Sequence, residues 1–208
     1  MKVLLDETPC EIDAANVGEA VAAIVGIAEQ SGRLVVEVLV DGNSLSEDDL
    51  QESTRLEANA DEIQVLTTTM ETLLHETFVE AVAALEGTAK SQTDAARLLQ
   101  SGDASGGMNE LVQALETWTG IRDAVVKGLE LAELDPRDID VDGIPLTKAI
   151  SDLQGCLETL KNTMIADDLA ATCDCLLYDL PPVNDAWSTV LAGLARRFKD
   201  DSSRPASS

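Results

Sequence analysis

The stretch TCDCLLYDLPP, from Thr172 to Pro182, gathers two thiols, two carboxylates and the single tyrosine of the chain. A Cys-x-Cys pair of this kind is chemically suited to chelating a soft metal or to forming a redox couple. On an α-helix, however, residues two apart project about 200° away from each other, so both sulfurs cannot turn toward one ion. Cys173 keeps phase with Leu169 and Leu177 and is expected in the core, whereas Cys175 is expected on the other, outer side. Cys156 lies three residues beyond Leu153 and four before Leu160, which makes it a second core thiol, and Cys10 sits far away near the start of the chain. Zinc is held by paired Cys-x2-Cys knuckles or histidines, and one histidine is too few to complete such a set. The expectation is packing, with no metal or cofactor.

DIDVDG, Asp138 to Gly143, is the sharpest motif in the chain. It repeats the first half of a calcium loop, with carboxylates at the first, third and fifth positions and glycine at the sixth. Asp138, Asp140 and Asp142 are therefore the candidate metal ligands. Ala149 stands where the bidentate glutamate would close the coordination shell, and Pro145 stands at the eighth position. An acidic turn leading into a helix, with Pro145 at its first position, fits the same residues better. His75-Glu76 opens like a zinc-protease helix, but Val79 replaces the second histidine, so a surface histidine is expected. SGDASGG (Ser101 to Gly107) has the glycines of a phosphate cradle without its lysine, and reads as a turn between helices. Trp118 and Trp187 are the remaining candidates. Both fall on helical apolar stripes, where they either anchor the core or offer a groove an aromatic contact for a partner protein.

The elements that position these residues change character near Thr69. Before it, KVLLD, RLVVEVLVDG and EIQVLTTT read as strands, the last by alternation and the second by its β-branched run closing on Asp41-Gly42. Asn16 and Glu19 have capping-box spacing, and the helix they start is expected to stop at Ser31-Gly32. Ser46 and Asp49 are spaced to cap one short helical turn. After Thr69 the period becomes helical. Apolar stripes run from Met70 to Leu85, Met108 to Leu129, Leu146 to Met164, Leu169 to Leu180 and Val183 to Phe198. The fold expected is α+β: a small β-α-β-(α)-β module over residues 1–69, then an antiparallel α-helical bundle over 70–199, with a disordered polar tail over 200–208.

Net charge is −25, from 39 acidic against 14 basic residues, and aromatic residues make up only 2%. Nucleic acids and anionic membranes are recognised by clustered Lys and Arg, so this surface excludes both as partners. Met1 is followed by KVLLDE rather than by a basic patch and a long apolar run, and LVVEVLV is too short to span a bilayer. A cytoplasmic location with reduced cysteines is expected.

From about residue 70 to 187 the layout resembles the helical-bundle flagellar export chaperones of bacteria. AARLLQSGD followed by GMNELVQALETWTGIRDAV carries the first part of the resemblance, and LETLKNTMIADDLAATCDCLLYDLPPVNDAW the second. The chain is also similar to uncharacterised bacterial proteins of the same two-part layout. The resemblance implies a non-enzymatic adaptor or chaperone-like protein that binds a helix or tail of another protein, a secreted or flagellar subunit. Two alternatives stand beside it: a small enzyme using carboxylates or a divalent metal near Asp138 to Asp142, and a structural or oligomerisation protein, a homo-oligomer being compatible with either.

Overall fold

A computed structural model describes residues 1–46 and 57–202, an α+β chain that divides into two compact units, Met1–Leu73 and Leu74–Ser208. In the first unit β1 (Lys2–Leu5), β2 (Thr8–Cys10), β3 (Leu34–Val40), β4 (Asn43–Ser44) and β5 (Glu62–Thr68) form one sheet in the order β2-β1-β5-β3-β4. The β1–β5 pair is parallel and the other pairs are antiparallel. Helix α1 (Val17–Gln30) lays Val17, Ala20, Val21 and Ile24 over Val3, Val38, Ile63 and Val65 of the sheet. Its start follows the expected cap: Asn16 accepts from the Glu19 N–H, and the Glu19 carboxylate accepts from the Ala15 N–H. Gly32 ends it at φ 67°, and the Arg33 N–H closes back on the Ala28 carbonyl.

Two strands here exceed the three expected. β2 contains Pro9, which an edge strand tolerates, and β4 has two residues, so neither carries an alternating signal. The β1–β2 hairpin turns through Asp6 and Glu7, both at positive φ (47° and 65°), the left-handed pair that a type I′ turn demands and that Asn-Gly or Asp-Gly normally supplies. Asp6 holds this turn from outside. Its carboxylate accepts from the Thr67 N–H and the Thr67 hydroxyl, each at 2.7 Å, and lies 3.2 Å from the Arg33 guanidinium. The short helical turn expected from Ser46 and Asp49 falls outside the described residues.

The second unit is built from four helical rods: α2 (Met70–Gln100), α3 (Ala104–Leu131), α4 (Leu146–Ile165), and a last rod made of α5 (Leu169–Asp174), a π turn (Cys175–Asp179) and α6 (Leu180–Ser202). Contacts between chain-distant residues give their directions. Gly107 meets Leu99 and Gly128 meets Phe78, so α3 runs antiparallel to α2. Phe78 stacks on Phe198 and the Asn184 amide donates to Gln92 at 2.7 Å, so the last rod also runs antiparallel to α2. Trp187 reaches Ala149 and Thr172 reaches Thr163, which makes α4 antiparallel to the last rod. The result is an up-down-up-down bundle, as the stripes and short connections imply.

Two expectations change. The fourth and fifth apolar stripes belong to one continuous rod, because the proline pair widens the helix without ending it. α6 continues through Ser202, into the span expected as a tail from residue 200; residues 203–208 lie outside those described. Among the described residues no helix is long and apolar enough to cross a membrane.

Candidate functional site

Proline has no N–H to donate, and its ring collides with the carbonyl four residues earlier. Pro181 and Pro182 impose both constraints at once. The chain answers by winding one residue wider just before them: the Leu180 N–H bonds to the Cys175 carbonyl, five residues back, which is the π-helical pattern. This turn decides where TCDCLLYDLPP points.

Cys173 and Cys175 are both buried, at 3% and 1% exposure. The Cys173 thiol faces α2 and donates to the Ala96 carbonyl at 3.7 Å, whereas the Cys175 thiol faces α4 and donates to the Cys156 carbonyl at 3.7 Å. The two sulfurs do diverge. The outer position expected for Cys175 is nevertheless overturned, because the rod is covered on both flanks and its opposite sides are interior to different seams. Burial, then the Asp179 charge and Cys156, push the Cys175 thiol up to about 11. Burial also raises Cys173, with Asp174 adding to it, and raises Cys156, with Asp179 and Asp152 adding. Such thiols are poor nucleophiles at neutral pH.

The carboxylates of DIDVDG are spread over three tasks. Asp138 ends a 3-10 turn, Pro136–Asp138. Asp140 and Val141 form β6 and pair with Ile144 and Pro145 of β7 across the two-residue turn Asp142-Gly143, at φ 52° and 82°. Asp140 accepts from the Gly143 N–H at 2.9 Å, and Asp142 lies 3.1 Å from Arg196 of α6. The motif is therefore a type I′ hairpin, and the helix that follows starts at Leu146 with Pro145 as its cap residue. Among the described residues no group of three or more His, Cys, Asp or Glu side chains is placed to hold a metal ion. The hairpin rests on α6 at Gly193, where a Cβ would lie 2.2 Å from Val141 Cγ1.

His75 is not the surface residue expected. It is half-buried, and its Nδ1 lies 2.8 Å from the Ala195 carbonyl, tying α2 to α6. In SGDASGG, Gly102 makes the turn at φ 88° and Asp103 caps α3 by accepting from Gly106 N–H, so the loop is occupied with its own helix start.

Trp118 and Trp187 are brought together, but inside. Their exposures are 2% and 1%, and the rings meet edge-to-face with centroids 5.6 Å apart across the middle of the bundle. The Trp187 indole N–H donates to the Ala149 carbonyl at 3.1 Å, whereas the Trp118 N–H has no protein acceptor. Neither ring presents a face to solvent.

The accessible features lie instead on the two sides of α4, which buries only Leu146, Ala149, Leu153 and Leu160. Toward α3 an apolar groove of about 430 Å³ is lined by Leu115, Leu157, Leu160, Met164 and Ile165, with Lys161 at its edge. Ile165 is 74% exposed, and Leu169 just beyond it is 50% exposed. Toward the last rod a larger groove of about 610 Å³ opens. One wall is Ser151, Asp152, Gly155, Cys156 and Thr159 of α4. The other is Tyr178, Asp179, Pro182, Val183 and Ala186. Both walls step through the same i, i+1, i+4, i+5, i+8 spacing, one face of each helix over two turns. Sequence reading missed this site because it assigned α4 one buried stripe. The available signal was the small and polar flank Ser151, Gly155 and Thr159 beside that stripe.

No family model, no curated protein and no solved structure matches the chain.

Proposed function

We propose that the chain is a non-enzymatic adaptor or chaperone-like protein of the cytoplasm, whose helical unit binds a helix or tail of another protein. The observation that carries this is the groove between α3 and α4, where Ile165 exposes an apolar side chain beside Leu115, Leu157 and Met164. An apolar strip between two helices is the surface that an incoming amphipathic helix completes. The pattern resemblance to flagellar export chaperones points the same way and suggests a secreted or flagellar subunit as the partner. The enzyme alternative draws no comparable support, since Asp140 and Asp142 are engaged in holding a hairpin.

The test places a photoreactive amino acid at position 165 in the native host and identifies what it captures. A discrete protein is expected, lost from Met164→Glu chains whose circular dichroism is unchanged. Capture of nothing but abundant bystanders, insensitive to Met164→Glu, would remove the basis for the proposal.

A further inference from the structure

We infer that the groove between α4 and the last rod is a docking site for a helical segment carrying lysine or arginine along a small-residue face. This deepens the protein-binding reading above and rests on it.

Space sets the shape of the occupant. Eight residues of helix rise about 12 Å, so the two matching walls offer a trough two turns long. Its walls carry short side chains: Gly155, Cys156 and Ala186 leave room for the backbone of another helix. A Cβ at Gly155 would meet nothing within 4 Å.

Charge sets its sign. From residue 149 to 186, the span that contributes both walls, there are seven acidic residues and one basic residue. The basic one is Lys161, which lines the other groove. Asp152 and Asp179 stand on opposite walls. Asp152 is paired with Lys148 one turn earlier, at 2.5 Å with both side chains exposed, a contact worth too little to keep a partner cation away. Asp179 has no ion pair among the described residues.

The third argument is aromatic. The chain has five Phe, Trp and Tyr residues in all. Four are buried as two ring pairs, Phe78–Phe198 and Trp118–Trp187. The fifth, Tyr178, is 69% exposed on the rim of this groove. An exposed ring on a groove lined by two carboxylates is a setting for an ammonium or guanidinium group, which gains from the face of the ring as well as from the charges. A second copy of the chain fits poorly, because each copy brings a net charge of −25.

Cys156 supplies a native reporter. It is half-buried in the groove, while Cys173 and Cys175 are buried. In a Cys10→Ser background, labelling of Cys156 by an uncharged thiol reagent is followed with two designed helical peptides sharing an Ala-rich face, one edged with Lys and Arg and the other with Glu. At about ten times its Kd the basic peptide should slow labelling about tenfold, and the acidic peptide should not. Asp152→Asn, Asp179→Asn and Tyr178→Ala should each weaken the protecting peptide several-fold, while Glu130→Gln at the far end of α3 should leave it unchanged. Equal protection by both peptides, no protection at all, or protection that survives the Asp152 and Asp179 changes would overturn the inference. Protection that rises with protein concentration alone, with dimers in sedimentation, would overturn it in favour of self-association. If the basic peptide is released by Ile165→Glu and not by the Asp changes, its seat is the α3–α4 groove: the broader proposal then stands and this one falls.

Discussion

Trp118 and Trp187 allow one chemical change to be made twice in the same core with different expected costs. Each ring is at most 2% exposed, each lies in the same edge-to-face pair, and replacing either by phenylalanine removes the same pyrrole portion. The cavity and transfer costs are therefore similar for the two changes. The indole N–H groups are not equivalent. That of Trp187 donates to the Ala149 carbonyl at 3.1 Å, and Trp187→Phe forfeits this bond, worth about 0.5–1.5 kcal/mol. That of Trp118 is buried without a protein acceptor, so Trp118→Phe removes an unsatisfied donor whose desolvation costs about 1–3 kcal/mol. Trp187→Phe should accordingly destabilise the helical unit by at least about 1.5 kcal/mol more than Trp118→Phe, the sum of the low ends of those two effects. Guanidinium unfolding followed by the remaining tryptophan reads this directly, because both reporters belong to the helical unit. The difference should appear as a shift in midpoint at constant slope. Equal losses, or a larger loss for Trp118→Phe, would refute the reasoning and show that the Trp118 N–H is satisfied.

Gly193→Ala should destabilise by about 1–3 kcal/mol instead of giving the usual helical gain, because its Cβ meets Val141; Val141→Ala in the same chain should recover most of the loss in thermal melts. Thiol labelling of the native protein should reach Cys10 and Cys156 first and Cys173 and Cys175 only on unfolding, and rapid native labelling of Cys175 would contradict its placement against α4. Asp6 is held below the usual carboxylate range chiefly by its bonds to Thr67 and by Arg33. Its contribution is present above the unfolded pKa near 3.9 and lost as pH falls through the depressed folded value, so Asp6→Asn should flatten the acid limb of the stability profile below about pH 4 and a parallel profile would discount the network.

The parts of the fold legible in the sequence were those whose cause is local. Asn16 and Glu19 marked a helix start because a cap is made within four residues, and the Asp-Gly pairs marked turns because positive φ is a property of the residues themselves. The stripes of α2, α3 and α4 were legible for the same reason. What failed was non-local. Asp6-Glu7 has no glycine, and its turn conformation is supported by Thr67 and Arg33, far along the chain. A stripe reports that one side of a helix is covered and says nothing of how many neighbours cover it, which is why Cys175 reads as an outer residue and why both tryptophans read equally as core anchors or as partner contacts. DIDVDG is ambiguous in a third way: carboxylates that suit a cation also suit a turn, and here Asp140 and Asp142 bond to Gly143 and Arg196 in a type I′ hairpin.

The stretch that carries the Cys-x-Cys pair ends as the wall of a groove, and the link is the proline pair. An ordinary α-helical turn through residues 175 to 179 would set the Pro181 and Pro182 rings against the carbonyls of Leu177 and Tyr178. The wider turn relieves that collision and fixes the phase in which Tyr178 and Asp179 join Pro182, Val183 and Ala186 on one face. A π turn is seldom retained without a local cause, and here the cause is in the sequence two residues later. The two functional proposals therefore depend on different physics: the α3–α4 groove on apolar surface, which salt leaves unweakened, and the α4–rod groove on carboxylates and one exposed ring, which salt screens. Binding that persists in strong salt belongs to the first groove, and binding that fades belongs to the second.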